Sequence, residues 1–141
     1  MPLVVDLKKG EKFIIGDTVI VNDSHNRRFT DGARLYIAGD APVLRERDII
    51  WEKDADSPAK RVYFLVQSMY LVRDAKPHLE SYLNLAADIQ KAAPGTASCF
   101  AKISELIQAG SYYKALKEVK SLLQQEQESP GNTSSAQNPS E

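Results

Sequence analysis

Gly39-Asp40-Ala41-Pro42-Val43-Leu44-Arg45-Glu46-Arg47-Asp48-Ile49-Ile50 is the stretch on which the first half of the chain turns. It opens with turn residues: the Asp40 side chain can accept a hydrogen bond from the backbone two residues on, and Pro42 fixes its own φ. From Val43 to Ile50 the chain reads as a strand, whose side chains alternate between faces. Val43, Arg45, Arg47 and Ile49 then share one face, and Leu44, Glu46, Asp48 and Ile50 the other. Arg45 and Arg47 would stand about 7 Å apart, two strand rises. Two guanidinium forks at that spacing suit a run of phosphates or the acceptor edge of a base. They equally suit structural ion pairs with Glu46, Asp48 or a neighbouring strand.

Upstream of this stretch the pattern is β throughout. Leu3-Val4-Val5-Asp6-Leu7 is followed by a turn at Lys8-Lys9-Gly10-Glu11. Lys12-Phe13-Ile14-Ile15 and Thr18-Val19-Ile20-Val21 are β-branched runs separated by Gly16-Asp17. Gly16 inside such a run predicts a bulge or a close approach of backbones. A polar segment from Asn22 to Thr30 carries His25 and Arg27-Arg28. Asp31-Gly32 turns the chain into Ala33-Arg34-Leu35-Tyr36-Ile37. Residues 1–56 are expected to form a small antiparallel β-barrel or sandwich of about five strands.

Downstream, Asp54-Ala55-Asp56 reads as a hinge, and Ser57-Pro58 supplies an N-cap and a first-position proline. The helix they open, to about Arg73, is apolar nearly all round, which predicts burial on every side. A second helix starts at Pro77, with Leu79, Leu83, Ala86, Ala87 and Ile89 as its inner positions, and closes at Pro94-Gly95. A third spans about Ser98 to Ala109. Gly110-Ser111 ends it and caps a fourth, which places Tyr112, Ala115, Leu116, Val119, Leu122 and Leu123 at helical spacing. The last two helices form an αα-hairpin around Gly110-Ser111-Tyr112-Tyr113. The fold class is therefore α+β, with a β domain over 1–56, a bundle of about four helices over 57–126, and a polar tail over 127–141 expected to be disordered.

Composition restricts the function classes. Net charge is −1, and residues 1–50 hold eight basic and eight acidic side chains. Nucleic-acid binding through bulk charge is thereby excluded, and any such binding must come from a local patch. The single cysteine, Cys99, can form neither an internal disulfide nor a metal cluster, which fits a reducing compartment. The chain reaches Asp6 before any apolar leader develops, and its longest apolar run is Val62–Val66; a cytoplasmic protein with no membrane span is expected. There is no phosphate-cradling glycine loop. His25 and His78 have no metal-ligand companion, and Asp54 and Asp56 flank a helix start, where negative charge is favoured in any case. Neither an enzyme nor a cofactor site is expected.

The run Leu3–Glu11, the segment Ile14-Ile15-Gly16-Asp17-Thr18-Val19, the pair Ala41-Pro42 and the triplet Arg47-Asp48-Ile49 together resemble the CsrA family of small RNA-binding translational regulators. That resemblance implies RNA lying along a positive edge made by the first strand and the arginine strand, supplied by two chains of a dimer. Arg47 falls on that family's principal RNA-binding arginine, and Arg45 adds a neighbour. The first-strand arginine is matched here by Leu7, with Lys8 the nearest basic residue. Over residues 1–126 the chain resembles the FlbT family of post-transcriptional regulators of flagellin synthesis. Ala41-Pro42-Val43-Leu44-Arg45-Glu46, Ser57-Pro58-Ala59-Lys60-Arg61-Val62-Tyr63-Phe64 and Tyr112-Tyr113-Lys114-Ala115-Leu116-Lys117 look like its signature segments.

The FlbT resemblance implies a cytoplasmic protein that associates with the 5′ untranslated leader of flagellin mRNA, lowers its translation and promotes its decay, although some members of that family activate. The RNA-binding residues expected are Arg45, Arg47, Lys8, Lys9 and Arg34. The rival expectation is a protein-binding module whose helical half grips flagellin or a flagellar assembly factor, with an indirect effect on the message. In either case the small β unit and the all-apolar helix leave more apolar surface than one chain covers, so a homodimer or hetero-complex is expected.

Overall fold

The computed structural model of the chain describes residues 3–23 and 32–128. The expectations for His25, Arg27-Arg28 and the Asp31 turn, and for the tail beyond 128, fall outside the described residues. The chain divides into two compact units, Met1–Ile49 and Ile50–Glu141.

Five strands build the first unit: β1 Leu3–Leu7, β2 Lys12–Ile15, β3 Thr18–Val21, β4 Ala33–Ile37 and β5 Val43–Arg45. They fall into two antiparallel sheets, ordered β1-β4 and β3-β2-β5. Neither sheet closes, so of the expected barrel or sandwich the barrel does not form. Closure needs one continuous ladder tilted and staggered round a ring, and strands of three to five residues are too short for it. The two sheets meet instead at one apolar cluster. Val5, Leu7 and Phe13 are buried at its centre, with Ile15, Ile20, Leu35, Ile37 and Val43 packed around them.

Gly16 is not the expected bulge. It takes φ +59° in the two-residue turn that joins Ile15 to its register partner Thr18, and a side chain there would meet no atom within 4 Å. A two-residue hairpin with glycine first demands that positive φ. The Gly16 N–H then donates to the Pro42 carbonyl at 2.8 Å, prolonging the pairing of β2 with β5.

The strand predicted through Ile50 stops at Arg45. Phe13 pairs with Arg45 in the ladder, so Lys12 would next pair with the backbone of Glu46. The Glu46 carboxylate takes the Lys12 N–H instead. The freed backbone turns into a 3₁₀ segment, Glu46–Asp48, closed by the Ile49 N–H onto the Glu46 carbonyl at 3.1 Å. Arg45 and Arg47 therefore do not share a strand face.

The second unit holds α1 Pro58–Val72, α2 Leu79–Ala92, α3 Ala97–Gln108 and α4 Tyr112–Glu128. At the start of α1, the Ser57 hydroxyl accepts the Lys60 N–H at 3.3 Å, and Pro58 occupies the first position. The α1 helix packs against α4 and α2. It buries Ala59, Val62, Tyr63, Val66, Gln67 and Met69, while Phe64, Leu65 and Leu71 are half-buried and Val72 is exposed. Burial on every side is thus not reached, because two neighbouring helices cover one broad face.

The inner face of α2 also differs from expectation. Tyr82 and Ala86 are buried and Leu85 and Ile89 half-buried, whereas Leu79, Leu83 and Ala87 are exposed. Tyr82 can take the inside because its hydroxyl finds Ser104 of α3 at 2.8 Å and its ring lies 6.4 Å from that of Phe100. A buried tyrosine needs such a partner. The α3–α4 hairpin is as expected. Gly110, at φ +76°, sits at its corner; its N–H donates to Ile107 and that of Ser111 to Leu106, the pairing that closes a helix in the left-handed conformation. The α4 helix buries Ala115, Leu116, Val119 and Leu122. It continues through Gln127 and Glu128, two residues into the span expected to be disordered.

Candidate nucleic-acid interface

Strand parity places the basic residues of the first unit. On β1 the inward positions Val5 and Leu7 are 1% and 3% exposed, which turns Asp6 outward. In register Asp6 faces Arg34 of β4, and the Arg34 Nε donates to Asp6 Oδ1 at 2.9 Å. That hydrogen bond, reinforced by the guanidinium's charge, holds the Asp6 carboxyl below the usual carboxylate range, and the charge of Arg45 pushes in the same direction. Arg34 pairs with Asp6 directly, whereas Arg45, on the other sheet, reaches that carboxylate only through its charge.

Lys8 and Lys9 follow directly on β1, in the turn that Glu11 closes by accepting the Lys8 N–H at 2.7 Å. Both lysines are exposed. Arg47 is exposed on the 3₁₀ segment and makes no ion pair with a described residue. The five sequence-predicted residues are thus spread over the unit: Arg34 paired with Asp6, Lys8 and Lys9 at the end of β1, Arg45 half-buried at the end of β5, and Arg47 on the turn that follows. The side-by-side pair Arg45 and Arg47 is not among these groupings.

Leu7, which stands where the CsrA resemblance implies an arginine, belongs to the core. An arginine there would bury its charge among Val5 and Phe13; the exposed basic residues at this end of β1 are Lys8 and Lys9. Sequence reasoning missed Asp6. Its signal was an acid alternating with Val5 and Leu7, which marks an outward position on a strand that also has to pair.

The helical unit presents a cleft over the first turns of α1, between α2 and the end of α4. It encloses about 630 Å³ and is lined by Ala59, Leu85, Ile89 and Leu122, with Arg61 and Asp88 also on its wall. Arg61, Leu85 and Asp88 also line an adjoining cleft that reaches Phe64 and Leu65. At one end, Glu126 of α4 binds the start of α1: one carboxylate oxygen accepts from the Ser57 hydroxyl, and the other from the Ala59 N–H at 3.1 Å. Cys99 is half-buried beside the Glu118 carbonyl. Burial and the Glu118 charge raise its thiol, against a smaller pull from Lys102. No described group of histidine, cysteine and carboxylate side chains could hold a metal ion, and no described helix is long and apolar enough to cross a membrane.

A family model described as "Flagellar protein FlbT" matches residues 3–129 of the chain. Among curated proteins, the chain is 38% identical over 128 residues to the "Probable flagellum biosynthesis repressor protein FlbT" of Rhodopseudomonas palustris, covering 91% of this chain and 97% of that one. It is 39% identical over 132 residues to the "Probable flagellum biosynthesis repressor protein FlbT 1" of Bradyrhizobium diazoefficiens, covering 93% and 86% respectively. It is 35% identical over 139 residues to the "Flagellum biosynthesis repressor protein FlbT" of Caulobacter vibrioides, covering 96% and 94%. No solved structure matches the chain.

Proposed function

The chain belongs to the FlbT family of flagellar proteins, and from that premise we propose that it represses flagellum biosynthesis after transcription. It associates with the 5′ untranslated leader of flagellin mRNA, lowers translation and promotes decay of the message. It does so in the cytoplasm as a binding protein, without a cofactor and without catalysing a reaction. The observation that supports the RNA contact is the set of outward basic residues along β1 and β4: Arg34 beside Asp6 across the ladder, with Lys8 and Lys9 exposed on the turn that follows β1. Such a patch gives a near-neutral chain a local grip on phosphate.

The test is a titration of the purified chain with a flagellin leader transcript, alongside Arg45→Ala and Arg47→Ala. Both variants should weaken binding about tenfold while melting like the parent, since a good contact to a base edge is worth roughly 1–3 kcal/mol. Parent-like binding by both would move the contact away from these residues. The salt dependence should be shallow, because so balanced a surface neutralises few phosphates.

A second reading is favoured by the cleft over α1. In it the helical unit takes a helix of flagellin or of an assembly factor, and the effect on the message is indirect. Repeating the titration with flagellin present separates the two. Leader binding unchanged by flagellin supports the first, and leader binding that appears only with flagellin supports the second.

A further inference from the structure

Resting on the reading of the first unit as an RNA-binding one, we infer that Tyr36 is a stacking platform for one unpaired RNA base, with Arg34 beside it to hold the adjoining backbone. Tyr36 sits in β4 between Leu35 and Ile37, both of which pack on the core. Parity therefore turns its ring outward. It is 69% exposed, and neither its ring nor its hydroxyl has a partner among the described residues. Across the ladder stands Val4, 49% exposed, so the ring has an aliphatic neighbour.

Two positions along the same face is Arg34, about 7 Å away by strand rise. Asp6 engages Arg34 through Nε, which leaves both terminal nitrogens with hydrogens to donate. An aromatic face with a cation at its side is the arrangement by which single-stranded nucleic acid is gripped without dependence on sequence, since every base has a π face. Tyr36 and Val4 are two apolar side chains bounded directly by an ion pair. Tyr36 thus offers one aromatic face, enough for one stacked base.

The experiment uses the full chain and a flagellin leader transcript carrying 2-aminopurine at an unpaired position. Tyr36→Phe keeps the aromatic face, while Tyr36→Leu and Tyr36→Thr remove it, threonine being suited to a strand. The phenylalanine variant should bind within twofold of the parent and keep the fluorescence quenching that stacking causes. The leucine and threonine variants should weaken binding by about 5- to 150-fold, the range for one stacked base, and lose the quenching while melting like the parent. Binding within twofold by either folded non-aromatic variant overturns the inference and leaves the RNA reading standing. A leader that the parent itself does not bind overturns both. Loss of repression in cells with leader binding intact also overturns it, because the face would then serve a protein.

Discussion

Replacing Glu126 with alanine should destabilise the helical unit by about 2 kcal/mol, although the residue lies near the end of the described chain. One carboxylate oxygen accepts the Ser57 hydroxyl, and the other the Ala59 N–H at 3.1 Å. Ser57 in turn caps α1 through the Lys60 N–H. Hydrogen bonds to a charged group are worth roughly 1.5–3 kcal/mol, and a negative charge at a helix start adds about 0.3–1 kcal/mol. Glu126 is half-buried, so solvent screening lowers the sum, and about 2 kcal/mol remains. In a unit of this size that corresponds to a fall of about 8–16 °C in melting temperature, read by far-ultraviolet circular dichroism of the helices. Glu126→Gln keeps one acceptor and should lose about half as much. A double-mutant cycle with Ser57→Ala should be non-additive, because both residues serve the same cap. Deleting everything after Glu128 should leave the melt unchanged, whereas a cut after Gln125 should reproduce the alanine effect. Glu126→Ala melting within 2 °C of the parent would refute the cap.

Three further outcomes are expected. Arg73 holds φ +58° at the end of α1, a left-handed conformation that costs a side-chain-bearing residue about 1 kcal/mol; Arg73→Gly should raise the melting temperature by a few degrees, and a fall would show that the Arg73 side chain contributes more than the strain. Cys99 has a raised thiol pKa, so at neutral pH it should be alkylated more slowly than a free cysteine, becoming faster only as pH rises, which a mass-spectrometric time course measures. The folded Asp6 carboxyl lies below its unfolded value; its contribution is complete above the unfolded value and is lost as pH falls through the folded one. Arg34→Ala should return the Asp6 carboxyl toward the ordinary range, as followed by carboxyl NMR titration.

The local chemistry of the chain was legible where one short segment decides an element alone. Ser57-Pro58 starts a helix because cap and fixed φ are both present, and Gly110 ends one because it can take positive φ. Reasoning from parity failed at Glu46 because a side chain captured a backbone donor 34 residues away in sequence. It failed on α2 because leucine spacing marks two stripes equally well. The choice fell to Tyr82, whose hydroxyl partner, Ser104, lies on another helix. Gln67 shows the same limit within α1: it is buried because its amide bonds both the N–H and the carbonyl of Ile50, at 2.9 and 3.0 Å. Of the candidate site, the basic residues could be named from the sequence, but the pairing of Arg34 with Asp6 required the register of β1 against β4.

The link between Glu126 and the start of α1 spans 67 to 69 residues of sequence, and this sets an order of events during synthesis. The helical unit's first turn emerges from the ribosome long before the carboxylate that completes it. Until α4 has been made to its last turns, the Ala59 N–H at the start of α1 lacks its carboxylate acceptor and is left to water. A polypeptide released early would keep that exposed end and be open to proteolysis. Completion of α4 is thus what supplies the last acceptors to the start of α1.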